Sequence, residues 1–318
     1  MRNYSIDTLK FVCAVLVVFL HTPSHWHSYY LPITRCAVPC FFIISGYFLM
    51  GENMMGRMKK GCRKMARIIL YSTVLYAAAD LLVHRFDFTS ITPTYKDLIK
   101  FILLNDNPWG FHLWYLGAYL YVLLICMLIE RYNKWSIAYM IVPILLVTDL
   151  TFGKYSLFIL HQEFPYVLVR NFLFVGLPYF LIGAYIKQHQ IKVQHNQGIL
   201  WGGVIFFLFI SILENRLLSN LGMNAQRDHY LSTTPIAILL FVWFLSQRQD
   251  SPTSFSTLGN KDSLFIYIFH PLWITFFRTI NPHLPAWWQR GYSCIAPLLV
   301  LGCTMLMISS LRKIKIIQ

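Results

Sequence analysis

The feature that most constrains this chain is a series of long apolar runs separated by short polar and basic stretches. Of its 318 residues, 57% are hydrophobic and only 13% are charged. About 20 apolar residues in a helix cross the roughly 30 Å hydrocarbon layer and satisfy every backbone hydrogen bond internally. The chain is therefore predicted to be an all-α polytopic membrane protein and not a soluble domain.

Turn residues and charges divide the apolar runs into a bundle of about ten predicted transmembrane helices. The approximate spans are residues 6–22, 33–50, 66–84, 112–130, 135–151, 168–187, 198–217, 231–247, 262–279 and 291–311. Pro23 follows the first span without a small-residue cleavage pattern, so this span is predicted to be retained and not removed as a signal peptide. No polar stretch is long enough to fold alone, and residues 1–318 are predicted to form a single integral-membrane domain.

Lysine and arginine are distributed unequally between the two sides that these spans define. Most fall on the side that holds both termini, including Arg2, Lys192, Arg248 and the basic loop at 57–67. The positive-inside rule therefore predicts that both termini are cytoplasmic, in a multi-pass protein of the bacterial inner (cytoplasmic) membrane. This topology, with attraction to anionic lipid, explains the net charge of +14, which is no evidence for nucleic-acid binding.

Lys10 and His21 lie in the first span, eleven residues apart. At about 100° per residue, this separation is about 20° beyond three full turns, so both side chains share one face about 16.5 Å apart along the axis. Ionisable groups inside a membrane span are costly and mark a pathway or a reaction site by default. The alternative for His21 is a structural histidine bonded to a neighbouring helix carbonyl.

The loop between the second and third spans is more basic than topology alone requires. Arg63 and Arg67 are one helical turn apart, and Lys64 lies between them. Two guanidiniums on one face form a phosphate clamp, since each presents a planar fork of donors to an oxyanion. A plain positive-inside anchor is the alternative, chiefly for Lys59 and Lys60.

A metal site is not expected. His21, His25 and His27 could in principle hold zinc, but Pro23 interrupts the helix that the first pair requires, and no acidic or cysteine ligand is close in sequence. The seven cysteines are interpreted as small hydrophobic residues and not as a disulfide framework.

Motifs that occur in order along almost the whole chain resemble the membrane acyltransferase family 3. They are Ile6-Asp7-Thr8-Leu9-Lys10 with His21, Phe41-Phe-Ile-Ile-Ser-Gly-Tyr-Phe-Leu49, Arg63 with Arg67, His112-Leu-Trp-Tyr-Leu116, Leu258-Gly259 and Ser263-Leu-Phe-Ile-Tyr-Ile-Phe-His270. The second span also resembles the membrane part of vancomycin-resistance serine racemases, and this likeness concerns the membrane half only. The chain departs from the family at Lys10, where arginine is usual, and after Arg67, where a proline is common.

The resemblance implies an acyl-CoA-dependent membrane O-acyltransferase that takes an acyl group, usually acetyl, from cytoplasmic acetyl-CoA. The implied acceptor is a hydroxyl of an extracytoplasmic glycan or other cell-envelope molecule, as in polysaccharide O-acetylation. Arg63, Arg67, Lys64 and Lys10 are expected at the donor phosphates while the thioester reaches toward His21. His21 is then expected to act as general base on the acceptor hydroxyl, or alternatively as a transient acyl carrier. Asp7 is expected to support Lys10 by pairing with it, or to lie favourably in the first helical turn.

The remaining candidates are weaker signals. Ser45 and Gly46 could let the acyl arm pass, with small-residue helix packing as the alternative. Four residues are candidates for lining the acceptor cavity: His112, Trp114, Tyr267 and His270. The alternative explanations are an aromatic belt at the membrane interface and simple solvation.

Two functions from other classes rival acyl transfer. A ten-helix bundle could export a glycan or carry a small solute, although the related halves typical of transporters are not visible in the sequence. The chain could also be a non-catalytic subunit of a glycan assembly system. The sequence fixes neither the acceptor nor the acyl group, and it leaves a homo-oligomer open.

Overall fold

The computed structural model describes residues 3–190, 196–247 and 249–316, and these residues form helices and connecting segments without a strand. Sixteen α-helices lie in these ranges: α1 Tyr4–His21, α2 His27–Thr34, α3 Ala37–Leu49, α4 Met54–Val83, α5 Phe88–Ile91, α6 Tyr95–Leu104, α7 Trp114–Arg131, α8 Trp135–Phe152, α9 Ser156–Leu160, α10 Tyr166–Val169, α11 Leu177–Gln188, α12 Gln197–Asn220, α13 Thr233–Ser246, α14 Ser254–Lys261, α15 Ser263–Ile280 and α16 Ala286–Lys313. The all-α prediction is confirmed. Arg2, Lys192 and Arg248 lie outside the described residues.

Nine segments of the described chain are long and apolar enough to cross a membrane. They are Tyr4–His21, His27–Leu49, Met54–Val83, Phe111–Arg131, Trp135–Phe152, Tyr166–Gln188, Gln197–Asn220, Ser263–His283 and Ala286–Lys313. The predicted span 231–247 corresponds to α13, whose 14 residues extend about 21 Å, less than the hydrocarbon thickness. The polytopic helical membrane fold is confirmed, whereas the cytoplasmic position of both termini stays a prediction.

Contacts within the chain divide it into two compact units. Unit 1 comprises Met1–Phe41, Val193–Leu217 and Tyr230–Gln318, and unit 2 comprises Phe42–Lys192 and Leu218–His229. In unit 1, α1 packs against α14, α15 and α16. A cluster of buried apolar side chains from three of these helices forms part of its core: Ala14, Val18, Ile266, Phe277, Val300 and Ile308. The single domain over residues 1–318 stays a prediction.

Two glycines bring α3 and α11 into backbone contact in unit 2. A Cβ atom on Gly46 would lie 1.9 Å from the Phe180 carbonyl oxygen, and one on Gly183 would lie 2.0 Å from the Ile43 carbonyl oxygen. Each helix thus presents a glycine to the backbone of the other, which is how small residues permit close approach in membrane bundles. Gly46 has the packing environment that the sequence analysis gave as the alternative, and its role in donor binding stays a prediction.

The segment between the third and fourth predicted spans contains α6, which has no buried residue. Its apolar side chains Ile99, Ile102 and Leu103 are all more than half exposed. Thr94 and Asp97 form a capping box at its first turn. Hydrogen bonds from the Thr94 hydroxyl and backbone N–H lower the pKa of the exposed Asp97 carboxyl, because they stabilise its charged form.

Replacing Gly46 or Gly183 by alanine is expected to destabilise the protein by about 1–3 kcal/mol, because the added methyl group forces α3 and α11 apart. Gly302→Ala on α16 is the matched control, since a Cβ atom there meets nothing within 4 Å. The control should be neutral or stabilising, because alanine favours helix more than glycine does. Thermal unfolding of the purified protein in detergent measures the difference, and wild-type stability of Gly46→Ala would contradict the packing assignment.

Candidate functional site

Asp7 and Lys10 form an ion pair on α1. The Lys10 ammonium donates to Asp7 Oδ1 across 2.9 Å, as their three-residue spacing on one helix face predicts. Asp7 is 4% exposed, and the Lys10 side chain is 29% exposed. The predicted pairing is therefore present, and the charged lysine has its counterion inside an apolar span.

Gly259 of α14 holds the backbone of α1 at this pair. A Cβ atom on Gly259 would lie 1.7 Å from the Asp7 carbonyl oxygen and 2.9 Å from the Phe11 nitrogen. The Thr253 hydroxyl caps the start of α14, and the rings of Phe11 and Phe255 stack with centroids 5.6 Å apart. The Leu258-Gly259 motif thus has a physical explanation: only a residue without a side chain allows α14 to cross α1 at Asp7.

His21 and His270 form a pair of stacked imidazoles at the other end of α1. Their ring centroids are 5.6 Å apart, with an angle of 21° between the planes. His21 is half-buried and His270 is fully buried on α15. His270 Nδ1 lies 3.0 Å from the Ile266 carbonyl oxygen, a geometry in which a neutral ring donates from Nδ1 and keeps Nε2 as its basic nitrogen. Tyr267, 5% exposed, places its ring 6.3 Å from that of His270.

Helix α1 ends at His21, because Thr22 is extended and Pro23 follows it. Thr22 is extended, and both its N–H and its hydroxyl donate to the Val18 carbonyl. The Tyr30 hydroxyl donates to the Thr22 carbonyl at 3.0 Å. His21 is therefore held on the last turn of α1, with its backbone fixed from both sides.

The basic residues of α4 have two kinds of environment. Arg57 donates to the Phe48 and Leu49 carbonyls at 3.0 and 2.7 Å, so it caps the end of α3. Arg63, Lys64 and Arg67 are exposed along α4, and Arg67 Nε donates to the Arg63 carbonyl at 3.4 Å. These three residues belong to unit 2, whereas Asp7, Lys10, His21 and His270 belong to unit 1. Their common role in donor binding stays a prediction.

The candidates for the acceptor cavity also divide between the units. Tyr267 and His270 accompany His21 in unit 1, whereas His112 and Trp114 lie in unit 2. The buried His112 ring is 4.5 Å from that of Tyr76, and the buried Trp114 ring lies 5.2 Å below the Arg170 guanidinium. Ser45 is half-buried on α3, next to Gly46.

A second cluster of ionisable residues, which is not predicted from the sequence, lies in unit 2. The His229 Nδ1 atom lies 2.6 Å from Asp149 Oδ2, and both residues are buried. Lys154 and Arg227 are buried in the same cluster. The only sequence signal is the run Arg227-Asp228-His229 before an apolar helix, because its partners are far away along the chain. No group of three or more potential metal ligands occurs among the described residues.

The fold defines a polytopic membrane protein with ionisable residues inside its spans. The family described as acyltransferase domain matches residues 3–309, so the chain belongs to this family, and its membership supports an acyltransferase role. The resemblance inferred from the motifs is confirmed.

Two curated relatives carry racemase names. The chain is 24% identical to an amino-acid racemase of Enterococcus faecalis over 99% of this chain and 46% of that protein. It is 25% identical to a serine/alanine racemase of Enterococcus gallinarum over 85% of this chain and 41% of that protein. The chain thus spans less than half the length of these relatives. No solved structure matches it.

A double-mutant cycle with Asp7→Asn and Lys10→Met is expected to give a coupling energy of about 1–2 kcal/mol, because each single change removes a charge-assisted hydrogen bond within an apolar span. The control cycle uses Asp97 and Lys100, an exposed pair of the same spacing at 3.6 Å. That cycle should give less than about 0.5 kcal/mol. Denaturant unfolding in detergent measures both, and equal coupling energies would show that the α1 pair is energetically an ordinary surface pair.

Proposed function

We propose that this protein transfers a short acyl group, most simply acetyl, from cytoplasmic acyl-coenzyme A to a hydroxyl of an extracytoplasmic cell-envelope acceptor such as a polysaccharide. Membership of the acyltransferase family supports group transfer. The stacking of His21 on His270, in the same compact unit as the Asp7–Lys10 pair, is the observation that carries the assignment of the residues. In this proposal the protein acts in the bacterial cytoplasmic membrane.

His21 acts as the general base in this reaction. Its imidazole accepts the proton of the acceptor hydroxyl while the hydroxyl oxygen attacks the thioester carbonyl carbon. A carbon–oxygen bond forms, the carbon–sulfur bond breaks, and the proton passes to the departing coenzyme A thiolate. His270 packs against the face of His21, and it is anchored through Nδ1 to its own helix, so it positions the His21 ring.

The donor is held by cations on the cytoplasmic side. Arg63 and Arg67 are exposed and one turn apart, an arrangement that suits the phosphates of coenzyme A, with Lys64 beside them. Lys10 is fixed by Asp7 on the helix that carries His21. Lysine in place of the family's usual arginine supplies a point charge and not a bidentate fork.

His21→Ala is expected to lower acyl transfer by about 100-fold or more, because the step loses its general base. Membrane vesicles supplied with radiolabelled acetyl-coenzyme A measure label in envelope material. His25→Ala is the matched control, because His25 is exposed and its backbone, not its ring, donates to Ser293. Unchanged transfer by His21→Ala would remove His21 from the mechanism, and absence of transfer by the wild type to any acceptor would favour transport.

Arg63→Gln and Arg67→Gln are each expected to raise the KM for acetyl-coenzyme A about tenfold with little change in kcat, because they remove a charge-assisted contact that persists throughout the reaction. Lys59→Gln is the control, an exposed cation of the same helix outside the proposed clamp. An equal effect of Lys59→Gln would show general attraction by the basic loop and would contradict a specific clamp.

A further inference from the structure

A small cleft lies within unit 2, between the end of α8, the start of the Tyr166–Gln188 segment and the stretch before α13. Ionisable residues of both signs line it. They are Lys154, Arg170, Arg227, Asp149, Asp228 and His229. Three of these residues are lysine or arginine and two are carboxylates, and the Glu163 carboxylate lies beside Arg227 outside this lining.

The carboxylates of this cleft are already engaged within the protein. Asp149 accepts from His229 Nδ1 at 2.6 Å, and Asp228 accepts a hydrogen bond from the Tyr166 hydroxyl. Lys154, 4% exposed, donates to the Asn224 side-chain oxygen and to the Ala225 carbonyl, each at 2.9 Å. The network therefore holds the acidic groups and the lysine in place, and the two arginines remain as the candidate ligand contacts.

Both guanidiniums stack on the same aromatic ring. The Arg170 guanidinium lies 4.3 Å from the Tyr166 ring centroid, and that of Arg227 lies 5.4 Å from it. The Arg170 guanidinium also lies over the Trp114 ring, 5.2 Å from its centroid. Stacking on aromatic faces fixes the planar forks without consuming their N–H donors.

The donors of these two forks are incompletely used. Arg227 is 7% exposed and donates to the Gln226 and Phe164 carbonyls, with the Glu163 carboxylate 3.6 Å away. Its Nε is buried without a hydrogen-bond partner among the described residues. Within the described chain, no carboxylate lies within 4.0 Å of the Arg170 guanidinium.

The predicted topology makes this concentration of cations unexpected. Lys154, Arg170 and Arg227 all fall on the outer side, where the positive-inside rule depletes lysine and arginine. Lys154 and Arg227 are buried, which is costly for a cation, so their retention beside the half-buried Arg170 points to a ligand and not to membrane insertion.

We propose that this cleft binds an oxyanion, a carboxylate or phosphate group, through the Arg170 and Arg227 forks. If the proposed function holds, on which this identification rests, the ligand is the acidic group of the hydroxyl-bearing acceptor, which would make the acceptor an acidic glycan or a phosphate-containing envelope polymer. Trp114, predicted from the sequence as an acceptor contact, then acts by orienting Arg170. An anionic phospholipid headgroup offers the same chemistry from a different source.

The test is calorimetric titration of the whole protein in nonionic detergent with three probes: glucuronate, its neutral counterpart glucose, and inorganic phosphate. Saturable binding is expected for the two anions and not for glucose. Arg170→Gln should weaken anion binding about tenfold or more, since it removes a charge-assisted fork, and Arg170→Lys should restore it only in part. Arg216→Gln is the matched control, because Arg216 lies 5.6 Å over the Tyr29 ring on an exposed surface of unit 1.

The same variants in nanodiscs of phosphatidylglycerol or phosphatidylcholine distinguish the two sources of the oxyanion. Displacement of glucuronate by phosphatidylglycerol, dependent on Arg170, identifies a lipid headgroup site, whereas binding of glucuronate in both lipids identifies an acceptor site. Equal affinities of wild type and Arg170→Gln, or the absence of any preference for anions over glucose, would overturn the proposal. Because the titration contains no acyl donor, this result is independent of whether His21 is required for transfer.

Discussion

The backbone contact between Gly259 and Asp7 is the constraint on which the proposed reaction centre depends. It brings α14 against α1 so closely that a methyl group would overlap the Asp7 carbonyl. The ion pair of Asp7 with Lys10 lies at this crossing, and the stack of His21 on His270 forms further along the same helix because α1 also packs against α15. A single helix with its two neighbours therefore fixes every candidate catalytic group of unit 1.

Ionisable side chains in an apolar span must be satisfied within the protein, because lipid offers no alternative partner. Asp7 provides that partner for Lys10, and the Ile266 carbonyl provides one for His270. In unit 2, the buried Asp149 and His229 side chains satisfy each other through a hydrogen bond, within a larger network of polar contacts. Both places hold ionisable groups in apolar surroundings, which is why we propose a reaction at the first and a ligand at the second.

The spacing of residues along α1 made the Asp7–Lys10 pair predictable from the sequence. The three-residue interval between Asp7 and Lys10 implied their contact, and the apolar runs implied nearly all of the spans. The stack of His21 on His270 was not predictable, because it joins helices at opposite ends of the chain and depends on tertiary packing. The cleft of Arg170 and Arg227 was not predictable from the sequence for the same reason, since no periodicity relates one loop to another. Helix α13 differs from its predicted span because hydropathy alone does not indicate where a helix ends.

The central claim is that the acyl thioester reaches the imidazole of His21. A structure of the protein with a non-hydrolysable acetyl-coenzyme A analogue tests it directly. The account predicts that the nucleotide phosphates contact Arg63 and Arg67, and that the acyl carbon lies beside His21 with room for one hydroxyl group between them. A bound analogue whose acyl end lies away from the His21–His270 pair would contradict it.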